Sequence, residues 1–309
     1  MPHISPHNGK TWSSPHGRAL PQDFCERTLL MGIVNATPDS FSDGGEFLDP
    51  AAAARRATVL VAGGADIIDL GAESTRPGSR KIDDNEELRR LLPALKAIRE
   101  VLPDVPVSVD TSHATVAAAA IENGADILND VCAIRARDNN ERGTVATTNY
   151  ELGIVAATMG APLIAMHNRF GNENYGNFWE EFMADMRAGV ERILASGVPE
   201  RQLWLDPGFG FGKTPAQNLL IVAKLEEVAA LGFPVLLGTS RKSTLGTILH
   251  NKPPKEREGG DAACSALGAF HGAACLRLHD PAAFRDVVSV ADAAFFANKS
   301  AGTLPVFQK

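Results

Sequence analysis

From Leu29 onward the chain repeats one phrase: a glycine, a short connection, a continuous apolar run of strand length, and a polar residue where the run stops. It is legible at Gly64–Asp69, Gly124–Asp130, Gly160–His167, Gly232–Gly238 and Gly272–His279. The glycine suits the left-handed conformation that ends a helix, and an apolar run this short and unbroken fits a strand covered on both faces. Three further runs, Leu29–Val34, Val105–Val109 and Leu203–Leu205, bring the predicted strands to eight.

Helical patterns fill the intervals. Asp49-Pro50 and Asp280-Pro281 each set a capping carboxylate before a proline that starts a helix. From Asn85, the residues Leu88, Leu91, Leu92, Leu95, Ile98 and Leu102 form one stripe, with Pro93 expected to kink it. Other helices are predicted near Phe178–Ala195, Pro215–Leu231 and Gly260–His271. Strand centres recur every 20 to 41 residues or so, room for a helix and a loop each time. Eight alternating βα units predict an α/β fold of the (β/α)8 TIM-barrel type in a single domain. A doubly wound sheet is the structural alternative, since periodicity does not prove closure.

A length of 309 residues alone allows one domain or two. The repeat favours one, with a barrel over 28–300, a flexible leader over 1–27 rich in Pro, Ser and His, and a short tail over 301–309. His3, His7 and His16 are expected to be solvated parts of that leader.

Composition is ordinary for a globular chain, with 44% hydrophobic and 22% charged residues. No stretch is apolar for long enough to span a bilayer, and Met1–Phe24 has no apolar core for export, so a cytoplasmic location without membrane contact is expected. Thirty basic against 37 acidic residues give a net charge of 30 − 37 = −7, which offers no basic face to nucleic acid. Any anionic ligand must be caught by a local cluster. Cys25, Cys132, Cys264 and Cys275 form no metal-ligand spacing and are expected to be buried free thiols.

In a barrel of this type the active site lies at the C-terminal ends of the strands. The residues ending the apolar runs are strongly polar there: Asn35, Asp69 with Glu73-Ser74-Thr75-Arg76, Asp110, Asn129-Asp130, His167, Asp206, Ser240-Arg241-Lys242, and Arg277 with His279. Asp110, Asn129 and Asp206 can accept hydrogen bonds from a flat amino-heterocycle, and Lys242 can donate to its carbonyl. Arg277, His279, Arg76 and the neutral ligand Asn35 suit a phosphate group carrying a hard cation such as Mg²⁺.

Gly208-Phe209-Gly210-Phe211-Gly212-Lys213-Thr214 imitates a phosphate loop, but Pro207 stands where the first glycine of GxxxxGK[ST] belongs. It reads better as a flexible strand-to-helix loop with Phe211 as a stacking surface. Asn35–Gly45 is longer than a tight turn needs and has the makeup of a lid; Glu73–Gly78 could close beside it.

On these motifs the sequence resembles the dihydropteroate synthase family of pterin-binding barrels. The resemblance rests on Gly32–Gly45, Glu73–Gly78, Ser108–Thr111, Asn129–Val131, Met166-His167, Leu205–Lys213, Ser240–Ser243 and Arg277–Asp280, in order along the chain. It implies condensation of hydroxymethyl-dihydropterin pyrophosphate with 4-aminobenzoate, by an SN1-like displacement with Mg²⁺, in a homodimer. It also implies a pterin set of Asp110, Asn129, Asp206 and Lys242, and a pyrophosphate set of Asn35, Arg76, Arg277 and His279, with Asn35 on the metal. Thr75, Arg76, Pro77, Phe211 and Ser243 would border the aminobenzoate, and Asp110, Lys242, Arg277 and His279 would carry the catalysis. Asn168-Arg169-Phe170 after His167, Asp261 and Leu278 depart from the family's usual residues, as does the long stretch between Asn129 and His167. Two other readings share the barrel: a pterin-binding paralogue without turnover, and a pterin-dependent methyltransferase, which needs no diphosphate cluster.

Overall fold

The computed structural model describes residues 11–36, 49–73, 82–135, 150–169 and 174–299. Eight parallel strands carry the repeat: β1 (Leu29–Asn35), β2 (Ile67–Gly71), β3 (Val107–Asp110), β4 (Ile127–Arg135), β5 (Leu163–Asn168), β6 (Leu203–Asp206), β7 (Leu236–Leu237) and β8 (Cys275–Leu278). They follow the order β6-β5-β4-β3-β2-β1-β8-β7, and a parallel bridge from Leu205 to Val235 joins the two ends. The sheet closes into a barrel, so the doubly wound alternative is excluded.

Helices between the strands form the outer ring: α1 (Pro50–Ala62), α2 (Asp84–Val101), α3 (Ala114–Glu122), α4 (Glu151–Met159), α5 (Phe178–Ala195), α6 (Pro215–Ala223), α7 (Leu225–Ala229), α8 (Ser243–Ile248), α9 (Glu258–Phe270) and α10 (Pro281–Lys299). The five repeat glycines, Gly64, Gly124, Gly160, Gly232 and Gly272, all have positive φ, as the helix-ending role requires. Asp49 caps α1 by accepting from the Ala51 N–H at 2.9 Å. The helix expected over Pro215–Leu231 is broken at Lys224 into α6 and α7, whereas α2 runs on through Pro93.

The leader departs from expectation. Residues 11–27 lie against the N-terminal mouth of the barrel, where Trp12, 2% exposed, stacks on Trp204 with ring centroids 4.3 Å apart. Leu20 and Phe24 join them over Leu29, Met31, Ile67, Ile127, Ile164 and Leu236. The strands of a barrel leave an apolar opening at that end, and burying three large side chains there removes both surfaces from water. Polar ties fix the segment: Ser14 Oγ donates to Asp126 Oδ1 at 2.6 Å, and the His16 ring reaches the Ile121 and Ala125 carbonyls. His16 is therefore exposed, as expected, yet anchored through its ring. Residues 1–10, with His3 and His7, and the tail over 301–309 lie outside the described residues.

The long β4 has a local cause as well. Its register against β5 shifts between Asp130 and Ile134, and Asp130 holds the bend by accepting from Ser112 Oγ, Tyr150 Oη and the Cys132 N–H. Of the four thiols only Cys264 and Cys275 are buried; Cys25 is exposed and Cys132 half-buried. Among the described residues no helix is long and apolar enough to cross a membrane.

Candidate active site

Parallel register places the polar strand ends at matching heights. Asp69 faces Ser108, Asp110 faces Asn129, and Met166 faces Asp206 across their pairs of strands. Arg277 on β8 reaches across the lumen, its Nε donating to Asp69 Oδ2 at 2.6 Å and its Nη2 to Asp110 Oδ2 at 3.0 Å. Burial works against its charge, yet the two carboxylates hold it charged above the ordinary arginine value. Asn129 turns its amide NH2 toward both oxygens of Asp69 at 3.4 Å, and its buried Oδ1 has no partner among the described residues. A buried acceptor without a donor is costly, and a ligand N–H would satisfy it.

Two acids share this lumen in an unusual state. Burial pushes Asp110 up to about 7, against the pull of Arg277 and with a further push from Asp69. Asp206 is pushed to about 6 by burial, opposed by the bond from the Gly208 N–H to its Oδ1 at 2.7 Å and by Lys242. Both carboxyls therefore sit near the point of ionisation. Acids so perturbed, beside a buried acceptor that lacks a donor, make these strand ends a candidate ligand site.

The loop after β6 is tied down rather than flexible. Lys213 Nζ donates to the carbonyls of Gly208 at 2.9 Å, Phe211 at 3.0 Å and His167 at 3.3 Å, stitching the loop to the end of β5. Burial lowers this lysine to about 7. Gly208 has φ +69°, and a Cβ there would lie 1.9 Å from the His167 carbonyl oxygen, so no other residue fits. Thr214 and Gln217 then form a reciprocal cap on α6. The loop presents Phe211, which packs with Val131 and Met166, and the Lys242 ammonium sits 3.8 Å from the centre of its ring. That cation over an aromatic face gives one wall of the cavity its flat, polarised character.

A second polar group is built from the ends of β7 and β8. His279 Nδ1 lies 3.1 Å from Ser240 Oγ, which also accepts from the His279 N–H at 3.3 Å. Burial, reinforced by Arg241, Arg277, Lys242 and Arg56, lowers His279 to about 3. Burial and these cations favour the neutral imidazole, and the surrounding arginines and lysine give this rim its positive charge. Asp261, which departs from the family's usual residue, braces this rim. It is 2% exposed and accepts from the Arg241 N–H at 2.9 and 3.1 Å. Arg241 takes φ +59°, so this buried carboxylate holds a strained turn. Arg257 secures the other side by donating to the Arg241 and Lys242 carbonyls. Ser243 opens α8, and Asn35 ends β1 half-buried beside Gly71 of β2.

Arg169, the atypical residue after His167, is also structural. It is 7% exposed, paired with Asp185 and Glu181, and lies 4.1 Å from the centre of the Tyr175 ring. Asp185 in turn accepts from His167 Nε2 at 3.2 Å. His167, lowered to about 4 by burial and the Lys213 charge, is a neutral core residue and not a ligand-facing one.

A family profile described as pterin binding enzyme matches residues 31–279. The chain is 42% identical over 286 residues to a dihydropteroate synthase of Synechocystis sp., covering 90% of this chain and 94% of that relative. This chain belongs to the dihydropteroate synthase family. Its function is that of the family, a dihydropteroate synthase and hence a transferase. Among solved structures, the dihydropteroate synthase of Xanthomonas albilineans with 4-aminobenzoic acid superposes with a TM-score of 0.79 at 36% identity, covering 91% of this chain and 98% of the other. That of Coxiella burnetii with pteroic acid gives 0.77 at 31%, covering 94% and 98%.

Within the barrel the structure thus brings Asp110, Asn129, Asp206, Lys242, Phe211 and Arg277 together at the C-terminal ends of the strands, with His279, Ser243 and Asn35 at the same end. Thr75, Arg76 and Pro77, and the lid segment after Ala36, lie outside the described residues. Asp69 and Lys213 were absent from the predicted sites, although both sit in the motifs read from the sequence. Asp69 ends a strand run, but only the structure shows that it holds Arg277 and Asn129.

Proposed function

We propose that the cavity binds hydroxymethyl-dihydropterin pyrophosphate and 4-aminobenzoate and joins them with loss of pyrophosphate. The unpaired Oδ1 of Asn129, between two acids raised toward neutrality, carries this reading. A pterin edge offers adjacent N–H and NH2 donors, which these three acceptors match; Lys242 donates to its carbonyl. Phe211 and Met166 give the ring an apolar wall.

Departure of pyrophosphate breaks the C–O bond and leaves a cationic pterin; the arylamine nitrogen attacks its exocyclic carbon and then gives up one proton to the released pyrophosphate or to solvent. Asp110 stabilises positive charge spreading over the ring, while Arg277 can exchange part of its pairing with Asp110 for the leaving oxygens. His279, Ser240 and the cations around them receive the same anion, with Arg76 added from the second loop. Pyrophosphate would raise the proton affinity of His279 and favour its donating form. Thr75, Arg76, Pro77, Phe211 and Ser243 border the aminobenzoate.

Magnesium fits this site in one manner. The expected ligand Asn35 offers a single neutral oxygen, and the described residues hold no cage of acids beside it. Such a donor set suits an ion that arrives with phosphate oxygens and waters, which is how Mg²⁺ usually binds. When bound, the ion would neutralise charge on the departing pyrophosphate.

The family's homodimer is proposed for this chain too. Leu267 and Phe270 on α9 and Val290 on α10 expose apolar surface around one groove, which a second copy would cover. The pterin reading is tested by titrating the protein with the pterin pyrophosphate. Asn129→Leu, which keeps volume and removes the acceptor, should weaken binding at least tenfold; unchanged affinity would overturn the assignment.

A further inference from the structure

One cluster lies outside the residues assigned to the pterin, although its Glu87 adds to the upward push on Asp110. His113, two residues past Thr111 at the start of α3, places Nδ1 2.8 Å from Glu87 Oε2 and 3.4 Å from Asp84 Oδ1, both on α2. Glu73, just after β2, completes the group: one ligand atom from each of Glu73, Glu87 and His113 lies within 4.8 Å of the others. Glu87 is fully buried, and its second oxygen, Oε1, makes no hydrogen bond of ordinary geometry. Burial pushes this carboxyl up, with Glu73 adding to the push, while the Thr111 hydroxyl and His113 pull it down.

A buried carboxylate with few donors of good geometry, facing a second carboxylate and an imidazole, is an arrangement a cation would relieve. One histidine nitrogen and two carboxylates select the class. Mg²⁺ and Ca²⁺ prefer all-oxygen shells, whereas imidazole with carboxylate suits divalent first-row transition ions such as Zn²⁺. We propose that Glu73, Glu87 and His113, with Asp84 as an outer partner, form a binding site for a divalent transition-metal ion of the Zn²⁺ class. The site draws its ligands from residues other than Asn35 and the proposed pyrophosphate set. It would tie the β2–α2 connection to the starts of α2 and α3, three residues in sequence from Asp110, and so brace one side of the cavity rim without touching substrate.

Co²⁺ serves as the probe because its ligand-field bands report coordination directly. Chelator-treated full-length protein is titrated with Co²⁺ in excess Mg²⁺, following visible absorption, for wild type, His113→Ala and Glu87→Gln. Loss of an outer-shell partner weakens metal binding roughly 10–100-fold, so loss of a direct ligand should exceed about 100-fold. Wild type should develop bands that saturate at one equivalent, and both variants should lose them. Glu87→Gln disturbs a buried position, but His113 is partly exposed and makes no side-chain cap bond to α3, so His113→Ala keeps the test decisive. Absence of bands in wild type would overturn the proposal, as would Co²⁺ binding that survives His113→Ala. Neither result bears on pterin turnover.

Discussion

The Arg277 guanidinium bridges Asp69 at 2.6 Å and Asp110 at 3.0 Å, so that one cation pairs with two acids from neighbouring strands. Breaking a buried pair by removing one partner leaves uncompensated charge and costs roughly 3–5 kcal/mol. Arg277→Ala should therefore lose stability in urea denaturation as well as slow pyrophosphate departure. A variant as stable as wild type with normal turnover would remove both roles from Arg277.

Asp206 offers a narrower test. Truncating an acceptor leaves ligand donors unpaired at roughly 1–3 kcal/mol, about 5- to 150-fold in affinity. Calorimetry should show Asp206→Ala weakening pterin binding within that range, with little change in the KM for 4-aminobenzoate. An effect confined to the aminobenzoate would contradict the placement.

The two raised acids make opposite demands of pH. Asp110 at about 7 and Asp206 at about 6 both lie above the unfolded value of 3.8, so folding favours their protonated forms. Their contribution to stability is full below about pH 4 and is lost as pH rises through 6 to 7. Pterin binding needs the charged acceptors and should strengthen across the same window with release of protons. Unfolding curves from pH 4 to 8, with calorimetry in buffers of different ionisation enthalpy, check both signs. Asp110→Asn should flatten the upper part of each profile.

Gly208→Ala would drive a Cβ to 1.9 Å from the His167 carbonyl at φ +69°. The loop cannot keep both its bond to Asp206 and its contact with β5. Pterin affinity should fall by more than tenfold although no side chain that touches ligand has changed; wild-type affinity would show that the loop position is immaterial.

At the opposite mouth of the barrel, Trp12→Ala removes a ring stacked on Trp204. Loss of so large a buried side chain costs roughly 3–5 kcal/mol. Melting temperature should drop while kcat/KM at 25 °C stays within a factor of two, since the plug is remote from the cavity. Unchanged melting would mean that the N-terminal segment does not brace the barrel.

The contrast between the two mouths shows what the sequence made legible. Strand ends and helix starts follow from local patterns, so the eight strands, the Asp49 cap and the acceptors Asp110, Asn129 and Asp206 could all be read in advance. Trp12 could not, because its partner Trp204 is far along the chain and the segment around it has no period of its own. Asp261 looked like a departure from the family's usual residue until its two bonds to the Arg241 N–H were visible. The lowered proton affinity of His279 depends on burial among Arg241, Arg277, Lys242 and Arg56, which no motif reports.

The central claim is tested most directly by turnover. Purified protein is mixed with Mg²⁺, hydroxymethyl-dihydropterin pyrophosphate and 4-aminobenzoate, and both pyrophosphate and dihydropteroate are measured. Stoichiometric formation of the two, lost in Asp110→Asn and in the absence of the pterin substrate, is the predicted result. Tight pterin binding with neither product formed would contradict it.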